Sequence, residues 1–340
     1  MNYSDEIWYN RNELLSHNGL FNFTIGGRGV GKTFNYKEWA INSKQQTVWV
    51  RRYAEDIKAL VADNGNKFCS DLFNAGKLDE NIQYYVLDNI LYINDEPKVY
   101  FVALSTARRL KSQSFPLVDK IIFDEFLEED TRTSAYLKNE VELFLGLYET
   151  INRLRTGEDG RKDVRVFFLG NLSSFVNPYF SFWHITPFEK RFKKFKDGLI
   201  VVENYSNEKF KEIKNATPFG KLISGTKFSQ FAIDNVAWRD DYAFVKKRDS
   251  ECYNTFNLRY NNAKIGVWIG RDGLYCSFDN NPEQRTYALK YETQENERML
   301  SKKNYPMTLI VKAYESNKLF FENITIKQYV FELMQSVTGW

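Results

Sequence analysis

The sequence predicts an α/β protein: a P-loop nucleotide-binding domain followed by a second, smaller α/β domain. Three observations predict it. The apolar run 21–25 leads into Gly26-Gly27-Arg28-Gly29-Val30-Gly31-Lys32-Thr33 and then a helix-compatible segment, 34–43. A second apolar run, 120–123, ends in Asp124-Glu125. Beyond about residue 240 the pattern changes to short alternating strands with turns, closed by two helical stretches.

The strand–glycine loop–helix order is the context that G-x-x-x-x-G-K-[ST] requires. Glycines let backbone N–H groups turn inward on an anion, and the helix start adds its positive dipole end. Gly26, Gly27, Arg28, Gly29, Val30 and Gly31 thus form a candidate phosphate cradle. Lys32 would reach the β- and γ-phosphates of ATP, and Thr33 would hold Mg²⁺. A dinucleotide fingerprint is excluded, because Gly27-x-Gly29 would need a glycine where Lys32 stands.

Before that loop, residues 8–20 border the base in folds of this type; Tyr9, Asn10 and Arg11 are candidates, with a plain surface loop as the other reading. Residues 47–52 read as a buried strand ending in Arg51-Arg52, a pair that faces nucleotide or DNA or is simply a solvated strand end. Helical stretches follow at 54–62 and 67–73, then strands at 82–86, 91–93 and 99–104, with turns at Asp88-Asn89 and 94–97. Lys111 lies in the basic loop 108–112. The run 120–125 reads as the Walker B strand: Asp124 in the Mg²⁺ shell, Glu125 as general base for the attacking water. Residues 128–130 are an acidic, exposed cluster.

Residues 139–154 carry helical periodicity. Arg153 and Arg155 at its end suit either a trans-acting arginine finger or the helix dipole alone. The strand 164–171 ends in Asn171, which can orient water or sense the γ-phosphate. A core strand in this order, after Walker B, marks ATPases in which an extra strand separates the phosphate loop from Walker B. The cations and phenylalanines of 189–196 suit either phosphate contacts or a solvated helix. Domain boundaries are expected at 1–197 for the ATPase domain, 198–240 for a lid or linker with a short strand-like stretch at 199–202, and 241–340 for the second domain. Strands are expected there at 242–245, 255–260, 264–269, 274–278 and 286–290, and helices at 307–319 and 325–336. Asp272, Asp279 and Glu283 are too sparse for a two-metal nuclease.

Composition bounds the function classes. The chain has 340 residues, 43% hydrophobic and 16% aromatic, which is ample for two packed cores. A net charge of +3 permits a nucleic-acid partner without demanding one. With three scattered cysteines and two histidines, a structural zinc site is not expected. No run of about 18 apolar residues appears and the N-terminus has no signal-peptide pattern, so a cytoplasmic protein without a membrane partner is expected.

Several stretches together resemble the DNA-packaging ATPases of small short-tailed bacteriophages, the phi-twenty-nine type. These are the glycine loop, Val50-Arg51-Arg52-Tyr53, Ile122-Phe123-Asp124-Glu125-Phe126, Val176-Asn177-Pro178-Tyr179-Phe180 and Gly266-Val267-Trp268. The resemblance runs through most of the chain. It implies a RecA-like domain of the additional-strand, catalytic-glutamate class, and an RNase H-like domain that has lost nuclease activity. It also implies a homo-oligomeric ring, a pentamer, docked on the portal of an empty prohead in the host cytoplasm and absent from the mature virion. That ring would drive double-stranded DNA inward at the expense of ATP, in the type system with a structural RNA. Carried over by position, Arg153 matches the family's trans-acting arginine and Lys111 its trans-acting lysine; a longer loop after Arg155 leaves Arg153 and Arg155 both open. Rival readings are a nucleotide-regulated DNA-binding protein that does not pump, separable by whether long duplex DNA stimulates hydrolysis, and a terminase-like protein with an active nuclease, separable by nicking of supercoiled DNA.

Overall fold

The computed structural model describes residues 7–338 apart from 80, 111–112, 129–135, 154, 156–161, 173, 176, 189, 227, 230–232, 234–243, 261–262 and 290–295. Two compact units emerge. The first comprises Met1–Glu129, Leu137–Ser173 and Phe188–Trp238; the second, Asp130–Tyr136, Ser174–Pro187 and Arg239–Trp340.

The first unit is built on a nine-stranded sheet. After a short helix α1 (Asn12–Ser16), its elements are β1 (Phe21–Gly26), α2 (Lys32–Asn42), β2 (Gln46–Arg51), α3 (Ala54–Val61), α4 (Asn66–Asn74), β3 (Tyr84–Leu87), β4 (Ile90–Ile93), β5 (Glu96–Ala103), β6 (Val118–Asp124), α5 (Glu140–Asn152), β7 (Arg165–Gly170), β8 (Phe192–Phe195) and β9 (Ile200–Tyr205). The strand order is β3-β4-β5-β2-β6-β7-β1-β9-β8. From β5 through β9 the neighbours are parallel; the β3–β4, β4–β5 and β8–β9 pairs at the edges are antiparallel. All six residues of β1 are buried, including the polar Asn22 and Thr24, as suits a parallel strand covered on both faces.

β7 lies between β1 and β6, as its place in the sequence predicts. Its register sets the site. Ile25 pairs with Gly170, and Asp124 with Leu169, so three strand ends reach one sheet edge together. Adjacent residues of β7 alternate between faces. Phe167 meets Tyr36 and Trp39 of α2, at 5.5 and 5.1 Å between ring centroids. Phe168 meets Phe144 of α5 at 4.9 Å and stacks on Phe23 at 4.3 Å. α2 and α5 therefore cover opposite faces.

Two expectations change here. Residues 198–240 do not begin as a lid: Ile200–Tyr205 is a core strand, paired along its length with β1. Only after it does the chain form α7 (Glu208–Ala216) and α8 (Pro218–Ile223). Within the basic segment 189–196, Phe192–Phe195 form an edge strand, β8, rather than a helix.

The second unit has a six-stranded sheet in the order β14-β13-β10-β11-β12-β15. The strands are β10 (Tyr253–Tyr260), β11 (Ala263–Ile269), β12 (Leu274–Ser277), β13 (Thr286–Ala288), β14 (Glu297–Met299) and β15 (Leu319–Phe321), with helices α9 (Tyr305–Glu315) and α10 (Ile324–Thr338). β10–β11–β12 is the expected antiparallel meander; β13 runs parallel to β10. Val245, expected within a strand, makes only an isolated bridge to Phe321. Gly266 is required on β11, since a Cβ there would sit 2.2 Å from the Asp279 carbonyl oxygen, which instead accepts the Trp268 indole N–H at 3.0 Å.

A boundary at 197 also misses an insertion. Residues 174–187 lie in sequence between β7 and β8, yet they belong to the second unit. Their helix α6 (Pro178–Trp183) is capped by Asn177, whose side chain accepts the Phe180 N–H at 3.0 Å. α10 holds the segment: Gln328 donates to the Phe175 carbonyl at 2.6 Å, and Tyr329 Oη lies 2.6 Å from His184 Nδ1.

Candidate nucleotide site at the phosphate loop

Past β1, the loop makes its turn on Gly29 and Gly31, at φ 82° and 91°, in the left-handed region that suits glycine. Gly31 caps α2, so the helix N-terminus opens onto a cavity of about 900 Å³. Arg28, Gly29, Val30, Gly31, Lys32, Thr33, Asp124, Glu125 and Asn171 all line it. Gly26 and Gly27 serve differently: their carbonyls each accept Lys32 Nζ at 2.9 Å, and Asn171 Oδ1 accepts it at 3.1 Å. Lys32 is buried, and its ammonium rests on loop oxygens where phosphate oxygens would compete.

Thr33 Oγ1 donates to Asp124 Oδ1 at 2.9 Å, which joins the loop after β1 to the end of β6. A hydroxyl and a carboxylate are hard oxygen donors, the kind Mg²⁺ prefers. The pair therefore fits that ion. Glu125 follows at φ 59°, a strained value for a residue with a Cβ, and its side chain is 65% exposed.

The Arg51-Arg52 pair resolves into two roles that sequence reasoning missed. Arg51 Nη1 donates to Asp124 Oδ2 at 3.1 Å while Nη2 pairs with Glu125, so one guanidinium spans both acidic residues. Arg52 is 3% exposed. It makes a two-pronged pair with Glu140 at 2.8 and 3.0 Å, donates to the carbonyls of Glu125 and Phe126 at 3.2 and 2.6 Å, and pairs with Glu128. Glu128 is thus tied into the fold rather than simply solvated.

Trp8, Tyr9, Asn10, Phe34, Asn35, Glu38 and Lys77 also line the cavity. Tyr9 N donates to the Val30 carbonyl at 2.9 Å, and its hydroxyl donates to buried Glu203 at 2.9 Å. Burial pushes the Tyr9 hydroxyl well above its ordinary pKa, which keeps it a donor. Arg11 lies outside the lining; it donates to Asn35 Oδ1 at 3.0 Å and stacks on Trp39. Trp8 carries no sequence signal of its own.

The two arginines after α5 diverge. Arg155 is buried and donates to the Phe115 carbonyl at 3.0 Å. Arg153 is exposed at the α5 C-cap, with φ 36°, and does not line the cavity of its own chain. Lys111 lies outside the described residues. In the second unit, Asp272 pairs with Lys246 at 2.6 Å and Asp279 with Arg248 at 2.9 Å. Among the described residues no three carboxylate, histidine or cysteine side chains gather to hold a metal.

Comparison with known proteins gives this site a setting. The family described as Podovirus DNA encapsidation protein (Gp16) matches residues 3–338. A DNA packaging protein of Bacillus phage PZA is 30% identical over 342 residues, covering 97% of this chain and 98% of the relative. The structure titled the bacteriophage Phi-29 viral genome packaging motor assembly matches with a TM-score of 0.70 at 29% identity, over 97% of this chain and 99% of that one. The N-terminal domain of the DNA packaging ATPase from bacteriophage phi29 matches with a TM-score of 0.50 at 32% identity, over 60% of this chain and 98% of that domain. With a family match over nearly its whole length and a relative 30% identical along it, this chain belongs to the podovirus Gp16 family of DNA encapsidation proteins.

Proposed function

We propose that this chain is the ATPase of a DNA-packaging motor, acting in a homo-oligomeric ring that drives double-stranded DNA into a prohead. The Thr33–Asp124 hydrogen bond at 2.9 Å carries the reading, because it joins the phosphate loop to the acidic strand end beside Glu125. In this reading the inward N–H groups of the loop and Lys32 bind the triphosphate. Lys32 exchanges its contacts with Gly26 and Gly27 for phosphate oxygens, and Asn171 is left beside the γ-phosphate. Thr33 and Asp124 would hold Mg²⁺, which would supply charge neutralisation at the phosphates. Glu125 takes a proton from the attacking water; the water oxygen bonds to the γ-phosphorus as the bond to the ADP oxygen breaks.

Arg51, paired with Glu125, competes with the attacking water for that carboxylate. Arg153 and Lys111 act on the neighbouring protomer's nucleotide, which agrees with the exposure of Arg153 and its absence from its own cavity. The second unit binds nucleic acid or the motor's other parts without cutting; Asp272 and Asp279 are each engaged by a cation. The same reading extends to a pentameric ring docked on the portal in the host cytoplasm, which membership of a DNA encapsidation family supports. Steady-state hydrolysis by Glu125→Gln tests the chemistry. Turnover should fall by about 10²–10⁴, the range for a general base, while nucleotide still binds. Undiminished turnover removes Glu125 from that role.

A further inference from the structure

The helix after β9 reaches back to the glycine loop. Asn207 caps α7, accepting the Phe210 N–H at 3.1 Å and donating to the Ile7 carbonyl at 3.2 Å. Phe210 packs edge-on against Trp8, with centroids 6.0 Å apart, and its ring lies 3.8 Å from where a Gly29 Cβ would be. One turn on, Lys214 lies over the Phe210 ring at 5.3 Å and donates from Nζ to the Arg28 carbonyl at 2.8 Å. Arg28 and Gly29 line the cavity; Lys214 does not.

We propose that Lys214 is a positioning residue for nucleotide binding: it holds the Arg28 carbonyl on the α7 side and so fixes the Gly29 N–H toward the phosphates. The inference rests on reading the loop as an ATP site. In a trans peptide the C=O and the following N–H point to opposite sides. Fixing one fixes the other. A carbonyl turned inward at this point would set its negative end against a phosphate, whereas the N–H attracts it. Gly29 adopts either orientation at little steric cost, so the loop needs an outside contact to select one.

Lys214 also meets a cost at this place: burial and the neighbouring Arg28 charge both lower its pKa. Contact with the carbonyl offsets that cost. α8 extends the link, because Gly220 is packed so closely on α7 that a Cβ would lie 2.0 Å from the Lys214 carbonyl oxygen. By linkage, whatever α7 gives the loop, phosphate in the loop returns to α7 and α8.

The test uses the full chain as wild type, Lys214→Met and Lys214→Arg, with mant-ATP and Mg²⁺ as the probe and thermal melting without nucleotide as the control. Lys214→Met should bind about tenfold more weakly, the scale of one charge-assisted hydrogen bond, while keeping its fold. Lys214→Arg, which keeps a donor, should recover most of the affinity. Saturating ATP should restore turnover in Lys214→Met, so the effect falls on KM rather than kcat. Affinity of Lys214→Met within twofold of wild type, or no recovery with arginine, overturns the proposal. A wild type that binds no better than Lys32→Ala would remove the ATP reading itself, and the role of Lys214 with it.

Discussion

Arg153 and Arg155 are separated by one residue and are used differently. Arg155 turns inward, and its hydrogen bond to the Phe115 carbonyl is part of the core beneath β6. Arg153 faces out from a left-handed C-cap, where the last carbonyls of α5 also favour a cation. Arg155→Ala should therefore lower stability by about 1–3 kcal/mol, the cost of losing a buried hydrogen bond and its packing, as read by denaturant unfolding. Arg153→Ala should unfold like wild type and lose turnover in the assembled ring. Mixing it with Lys32→Ala subunits should restore part of the hydrolysis, since each variant keeps the half of the site that the other lacks. No recovery in mixed rings would count against a shared site.

At the scale of elements, the Arg52–Glu140 pair joins the end of β2 to the first turn of α5, and Arg52 also holds the carbonyls after Asp124. Glu140 is 0% exposed at its side chain, so Glu140→Gln takes from the buried Arg52 guanidinium its two-pronged charged partner, leaving it Glu128 and two carbonyls. The expected loss is about 3–5 kcal/mol of unfolding free energy, with the Walker B loop loosened; a loss under about 1 kcal/mol would mean that the other Arg52 contacts suffice.

How far the elements could be read in advance follows the same physics. β6 and β7 each carry an apolar core, 121–123 and 166–169, and β1 alternates Phe21, Phe23 and Ile25 with buried Asn22 and Thr24; the glycine loop and Asp124-Glu125 mark the ends of β1 and β6. β9 is legible as a strand only over its apolar first half, because Ile200–Tyr205 goes on to Glu203 and Asn204; Glu203 is tolerated in the core because Tyr9 and Arg191 bind it. Arg51 stands out locally as a basic strand end, but its acidic partner Asp124 lies 73 residues away; Lys214 leaves no local trace, its partner lying 186 residues away. The 174–187 insertion was hidden for a similar reason, since the residues that hold it belong to α10.

For the whole molecule, the order of the chain matters as much as either unit. β7 ends at Gly170 and Asn171 lines the cavity, and by Ser174 the chain has entered the second unit. On the proposed reading, with Asn171 beside the γ-phosphate, a change there lies within a few residues of the point where the chain passes into the second unit, which suits a machine that turns hydrolysis into movement. The most direct test is protection of double-stranded DNA from nuclease after incubation with proheads, Mg²⁺ and ATP. Wild-type chain should protect genome-length DNA, and Lys32→Ala and Glu125→Gln should protect almost none. Equal protection by Lys32→Ala, or by wild type without ATP, would contradict an engine driven from this phosphate loop.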